Sequence, residues 1–138
     1  MRLALEQARE ALRRDEVPIG CVLTYDGRVV GRGYNLTEKF QDVTAHAEMQ
    51  AITAACRTFG GKYLQGCTLY VTVEPCVMCA GAIGWAQVSR VVYGAADERR
   101  GFSRLAPHAL HPRCQVSSGV LEEECATLMK EFFNRKRG

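Results

Sequence analysis

Apolar and small side chains at Ala4, Leu5, Ala8, Ala11 and Leu12 fall at i, i+1, i+4, i+7 and i+8. That is the spacing of one helix face, and it predicts a helix over residues 3–14. Asp15 and Glu16 lead out of it, and Pro18 opens an extended run, Ile19–Tyr25. Asp26-Gly27 supplies two residues that tolerate positive φ, the chemistry of a two-residue hairpin turn, and Arg28–Tyr34 returns as a second strand. Gly31 and Gly33 inside it mark a bulge or a close approach of another backbone. The polar stretch Asn35–Val43 reads as irregular. Thr44 is the expected N-cap of a helix over Ala45–Phe59, with Met49, Ile52, Cys56 and Phe59 as its apolar stripe and Gly60-Gly61 as its stop.

Thr68–Val73, rich in β-branched and aromatic residues, predicts a third strand. Pro75 suits the first position of a helix, where its missing N–H costs nothing, and that helix runs to about Ala86. Arg90–Tyr93 is a short strand. From Ala95 to Arg113 the pattern lapses into surface loop with room for a turn of helix, and Gln115–Ser117 is a last short strand. Leu121, Cys125, Leu128, Met129, Phe132 and Phe133 share one side of a final helix over Leu121–Arg135; periodicity makes Phe132 a core residue and leaves Phe133 more open. An opening hairpin followed by alternating strands and helices predicts an α/β fold. The expectation is a single three-layer domain over residues 1–138, with a mixed central sheet of about five strands and helices on both faces.

The composition agrees with one globular domain: 138 residues, 47% apolar and 24% charged, enough for one core. No apolar run reaches the length of a membrane span. Arg2, Glu6, Arg9 and Glu10 interrupt the N-terminus, unlike a secretory leader, so the expected location is cytoplasmic with no membrane partner. A net charge of +3 permits an anionic partner without demanding one. Seven cysteines are an odd count, and a disulfide framework is not expected in a reducing compartment. Cys21, Cys56, Cys67 and Cys125 sit in strand-like or helix-like apolar runs and read as small buried hydrophobes.

Cys76 and Cys79, three residues apart at a helix start, are neighbours on one face. Strand followed by Cys-x-x-Cys suits a thioredoxin-like redox pair as well as a metal clamp. Of the three histidines, His108 and His111 lie in the irregular stretch and read as loop residues; His46 heads the second long helix. His46, Cys76 and Cys79 together offer three N/S ligands to Zn²⁺ and leave the fourth tetrahedral position open, the mark of a catalytic zinc. Thiolates are favoured at a helix N-terminus, and such a zinc lowers the pKa of its water toward about 7. Glu48 is the candidate proton carrier. At i and i+2, His46 and Glu48 of an ideal helix point to nearly opposite sides, which argues against Glu48 as a fourth ligand. The same spacing leaves a plain helix-dipole role for Glu48 open.

His46-Ala-Glu48 followed by Pro75-Cys76-x-x-Cys79 is similar to the H-x-E…P-C-x-x-C signature of the zinc nucleoside and nucleobase deaminases. Nearly end to end, the chain resembles the bacterial tRNA-specific adenosine deaminases, within the cytidine and deoxycytidylate deaminase superfamily. The resemblance rests on Glu16-Val-Pro-Ile-Gly20, Asn35, Asp42-x-Thr-Ala-His-Ala-Glu48, Thr68 through Ala82 with Glu-Pro-Cys-Val-Met-Cys-Ala-Gly, Arg90-Val-Val-Tyr-Gly-Ala95, Asp97, Leu110-His-Pro112 and Phe132-Phe133.

The resemblance implies a cytidine deaminase-like fold and hydrolytic deamination of the wobble adenosine (position 34) of a tRNA anticodon to inosine, with release of ammonia. It implies one Zn²⁺ per chain on His46, Cys76 and Cys79, with Glu48 as proton shuttle, and a homodimer that binds a tRNA anticodon loop. Asn35 is implied to hydrogen-bond the flipped nucleoside, Ala47 to line its pocket, Asp97 to position a flanking nucleotide, and Phe133 and Arg135 to touch the anticodon loop. Aromatic stacking and cationic contact are how single-stranded loops are read. Where the family carries a small-residue loop after the Asp97 position, this chain has Glu98-Arg-Arg-Gly-Phe-Ser-Arg104. The same zinc signature also serves deaminases of free guanine or cytosine, the alternative reading.

Overall fold

The computed structural model describes residues 1–137. Helix α1 (Arg2–Arg13) precedes a hairpin of β1 (Gly20–Tyr25) and β2 (Arg28–Tyr34). A four-residue helix, α2 (Thr37–Phe40), and a long one, α3 (Ala47–Phe59), come next. Then follow β3 (Thr68–Val73), α4 (Val77–Ala86), β4 (Arg90–Ala95), the short α5 (Phe102–Leu105), β5 (Gln115–Ser117) and α6 (Glu122–Arg137). The five strands form one mixed sheet in the order β2-β1-β3-β4-β5. β1 runs antiparallel to both β2 and β3, whereas β3, β4 and β5 are parallel.

The hairpin forms where the sequence asks for it: Asp26 and Gly27 take φ of 51° and 75°, as a two-residue turn matched to strand twist requires. Leu23 pairs with Gly31 and Thr24 with Val29, so Val30 is the extra residue of a bulge. Gly31 and Gly33 serve the other expectation too, because α3 lies directly on them. A Cβ on Gly33 would stand 2.7 Å from the Ala47 carbonyl oxygen, and one on Gly31 would overlap the Ala51 carbonyl.

Alternation along the strands divides the core. Cys21, Leu23, Leu69, Val71, Val91 and Tyr93 face α3 and α4, where they pack on Ala47, Ala51, Ala55, Ala80 and Ile83. On the opposite face, Leu5 and Ala8 of α1 meet Cys125 and Leu128 of α6 over Ala95. Phe132 is buried, as its periodicity predicts, and Phe133 is not.

Four local expectations are corrected. α3 begins at Ala47, with His46 as its N-cap residue; Thr44 instead bonds Asp42 through both its amide and its hydroxyl. The buried face of α3 is Ala47, Glu48, Ala51 and Ala55, not the stripe through Phe59, because a helix seated on glycines is buried along its small residues. Pro75 precedes the cap of α4, and Cys76 is the N-cap. Within Asn35–Val43 the chain makes α2, which has no apolar period and is held by a carboxylate from outside the segment, Glu16. Among the described residues no helix is long and apolar enough to cross a membrane.

Candidate active site

Because β1 is antiparallel to its neighbours, the carboxyl ends of β2, β3 and β4 lie at one end of the sheet. Open α/β sheets bind ligands outside the carboxyl ends of their strands. Asn35 follows β2, Cys76 follows β3 and Asp97 follows β4, so the topology gathers residues far apart in sequence at that end. α3 and α4 pack on one face of the sheet and their first turns open there. His46 and Cys76 are the two N-cap residues, both with extended backbone (φ −73°, ψ 158° and φ −73°, ψ 174°).

His46 Nδ1 lies 3.7 Å from Cys76 Sγ and 3.5 Å from Cys79 Sγ, and the three atoms lie within 4.8 Å of one another. A tetrahedral zinc with metal–sulfur bonds near 2.3 Å and a metal–nitrogen bond of 2.0–2.1 Å separates N from S by roughly 3.6 Å. The donor set therefore fits one zinc ion in both chemistry and spacing. Hydrogen bonds from the Cys79 thiol, and then from His46, hold the Cys76 thiol down to about 4 against the cost of burial. The same Cys76 pairing raises His46 and raises Cys79, which keeps its proton by donating it.

Glu48 points into this group. It is 3% exposed, and burial pushes its carboxyl up to about 7, with the charge of Cys76 adding to the rise while its own backbone N–H and the charge of His46 oppose it. A carboxylate poised near neutrality beside a three-ligand metal set is equipped both to accept and to return a proton. Asn35 is buried too, and its Oδ1 has no hydrogen-bond partner among the described residues. Buried polar atoms in folded proteins are nearly always paired, so this oxygen is a ready acceptor for a ligand donor. Ala47 is fully buried on the first turn of α3, between His46 and Glu48.

The remaining expected residues lie further out. The Asp97 carboxylate accepts the Arg99 and Arg100 N–H groups at 3.0 Å each, turning the loop and facing both arginines outward. Asp97, Arg99 and Arg100 share with Lys130, Met129 and Phe133 a groove of about 780 Å³ floored by Val73 and Ala95. Arg135 is elsewhere, beside Asp15, whose carboxyl is held low by a hydrogen bond from Lys136 and by the charges of Lys136 and Arg135. His111 accepts the Arg113 N–H in its own loop, and neither it nor His108 joins a metal-binding group among the described residues.

Two buried carboxylates were not singled out from sequence. Glu74 accepts hydrogen bonds from Asp97 N–H, Ser103 N–H and Ser103 Oγ–H. It thereby fastens the 97–103 loop to the chain carrying Cys76, where Gly101 also bridges. Glu16 accepts the Glu38 and Lys39 N–H groups. The signal available was an acidic residue inside an otherwise apolar strand end, as in Val71-Thr-Val-Glu-Pro75.

Residues 1–95 match the family described as the cytidine and deoxycytidylate deaminase zinc-binding region. The chain is 46% identical to a tRNA-specific adenosine deaminase of Agrobacterium fabrum, over 99% of this chain and 93% of that one. It is 44% identical to one of Bacillus subtilis, over 99% and 88%. A solved structure from studies of A-to-I editing by tRNA A34 deaminases at the wobble position superposes with a TM-score of 0.87 at 47% identity, covering 93% of this chain and 96% of that one.

Proposed function

The chain belongs to the cytidine and deoxycytidylate deaminase family of zinc-binding proteins, and from that premise we propose that it hydrolyses the wobble adenosine of a tRNA anticodon to inosine and ammonia. The observation that carries the reading is the buried Glu48 carboxylate set against His46, Cys76 and Cys79. The choice of tRNA over a free base follows relatives of that activity that align with 99% of the chain.

His46, Cys76 and Cys79 would hold one zinc ion, which would supply a Lewis acid able to make water a nucleophile at neutral pH. Glu48 takes one proton of the attacking water and delivers it to the ring nitrogen next to the carbon under attack; it then takes the second proton, from the oxygen now on that carbon, and hands it to the departing amine as the C–N bond breaks. Adenosine and water thus become inosine and ammonia, and the carboxylate is regenerated. Burial keeps Glu48 protonatable at neutral pH, which both halves of that cycle need. Asn35 holds the base through its unpaired Oδ1, and Ala47, with no side chain beyond Cβ, leaves the pocket open. Asp97 shapes the loop beside the pocket, Phe133 offers a half-exposed ring to the anticodon loop, and Arg135 adds positive charge at the end of α6.

The partner at the substrate side is the tRNA anticodon loop, and the site of action is the cytoplasm, where that substrate is processed. A second copy of the chain covers α4. This helix is uncharged and apolar all round, which is the pattern of a helix buried on every side. Yet Val77, Met78 and Trp85 stand out, Trp85 at 85% exposure.

Incubation with an A34-containing tRNA and, separately, with free adenosine, guanine and cytosine tests the reading. Inosine at the wobble position is the expected product. Ammonia from a free base with none from the tRNA overturns it in favour of the nucleobase alternative.

A further inference from the structure

We propose that Glu16 is a positioning residue for the nucleoside pocket and acts through Asn35; the inference rests on the reading of the site given above. Glu16 is 1% exposed, and among the described residues it makes no ion pair. A carboxylate out of water is costly unless its oxygens are satisfied. Here Oε1 accepts the Glu38 N–H at 3.0 Å and Oε2 the Lys39 N–H at 2.9 Å, charge-assisted bonds of the stronger kind.

Both amides belong to α2, in the middle of the segment between Asn35 and His46. The neck of that segment is closed by the Leu36 N–H donating to the Ala45 carbonyl at 3.0 Å. The residues just outside the neck, its two feet, are therefore the pocket asparagine and the first metal ligand. Inside the loop, Asp42 N–H bonds the Thr37 carbonyl and Ala45 N–H bonds the Asp42 carbonyl, each at 3.1 Å. The loop is internally braced, so a tilt of α2 is passed to the feet rather than absorbed.

The two feet differ in how firmly they are held. His46 sits between two sulfur atoms. The Asn35 side chain lacks such support at Oδ1, and its backbone N–H bonds Ile19 at 3.2 Å, only three residues beyond Glu16. Release of α2 therefore displaces Asn35 before it displaces the metal ligand. Glu16 does not touch the substrate; it sets where Asn35 meets it.

Glu16→Gln keeps the volume but turns one acceptor into an NH₂ group facing a backbone N–H. The fold and zinc stoichiometry are expected to persist, while kcat/KM on an A34 anticodon stem-loop falls about tenfold, the scale of one lost bond to a charged acceptor. The deciding measurement is a double-mutant cycle with Asn35→Ala. If Glu16 works through Asn35, the effect of E16Q shrinks to less than about twofold in the N35A background, since coupled residues are non-additive. Multiplying effects, or loss of zinc from E16Q, overturn the proposal. Independently of turnover, the Asn35 side-chain amide resonances of the zinc-loaded protein should shift in E16Q more than those of the His46 ring. Unmoved Asn35 resonances overturn the proposal whichever base the wild type deaminates. A wild type inactive on the stem-loop counts against the functional reading alone.

Discussion

His46 and Glu48 converge on the same cysteine. His46 Nδ1 lies 3.5 Å from Cys79 Sγ, and the charge of the buried Glu48 carboxylate raises that same thiol. Two residues apart on an ideal helix, they would point nearly away from each other. They converge because the helix starts one residue after His46: the extended His46 backbone (ψ 158°) turns its ring back toward Cys76 and Cys79, while Glu48, inside the first turn, points to the buried side. The N-cap break turns an unfavourable spacing into two side chains on one centre, the arrangement that the proposed roles of ligand and proton carrier need.

Glu48→Gln should therefore keep its zinc and lose its turnover. The amide matches the carboxylate in size but cannot carry the proton, and a positioned acid–base group is worth about 10²–10⁴-fold in rate. Metal analysis alongside inosine formation checks this. A variant that turns over normally excludes Glu48 as the shuttle, and one that arrives without zinc makes it a ligand.

Chelation of the zinc should abolish activity, restorable by zinc, and lower Tm. A ligand present at a thousand times its Kd stabilises the native state by about 4 kcal/mol, which in a domain of this size is a loss of roughly 10 °C or more. Thermal melts with and without chelator read the shift. An unchanged Tm with a reversible Cys76–Cys79 disulfide would restore the redox reading of Cys-x-x-Cys.

Much of this site was legible because it depends on residue types at short spacings: His46-Ala-Glu48 and Pro75-Cys76-x-x-Cys79 are local in sequence, and strands such as Thr68–Val73 announce themselves by composition. What was not legible depends on partners distant in sequence. α2 exists because the Glu16 carboxylate, more than twenty residues before it, takes its amides. The buried face of α3 is set by Gly31 and Gly33 on a neighbouring strand, which let small residues replace large ones at the contact. Glu74 looked like a strand-end charge, yet its partners are Asp97 and Ser103.

Once the zinc has been chelated, Cys76 should alkylate before the other six cysteines. Its thiol is held down to about 4, so it is thiolate throughout the neutral range and its rate should stay nearly flat from about pH 6 to 8. Burial raises the half-buried Cys56 and Cys114, and their rates should climb about tenfold per pH unit over the same range. Peptide mapping after brief iodoacetamide treatment separates the two behaviours. A Cys76 rate that climbs in parallel with theirs removes the thiolate from the site.

Gly33→Ala should cost stability and weaken zinc together. The new Cβ would stand 2.7 Å from the Ala47 carbonyl oxygen and 2.8 Å from the Ala51 amide nitrogen. Both neighbours are backbone, so α3 itself must move, and overpacking of this kind costs about 1–3 kcal/mol. Ala47 adjoins His46, so the displacement reaches the metal ligand. Gly61→Ala is the control, with nothing within 4 Å of the added carbon. Urea unfolding and zinc titration of the two variants should differ in both quantities; equal behaviour would mean that α3 does not depend on close approach to β2.

The proposed pairing of two copies over α4 predicts that Trp85→Glu separates them without unfolding either. Trp85 is 85% exposed and contributes little to its own core, whereas Ile83 and Ala80 on the other side of α4 hold the helix to the sheet. A charge placed at the centre of an apolar contact is left without water or partner when the copies meet, a penalty of several kcal/mol. That exceeds what most interfaces can lose at micromolar protein. Light scattering should give the mass of two chains for the wild type and one for the variant, with Tm read alongside to show that the monomer remains folded. A wild type that is monomeric across the micromolar range removes the second copy from α4, and a variant that stays dimeric moves the contact to another face.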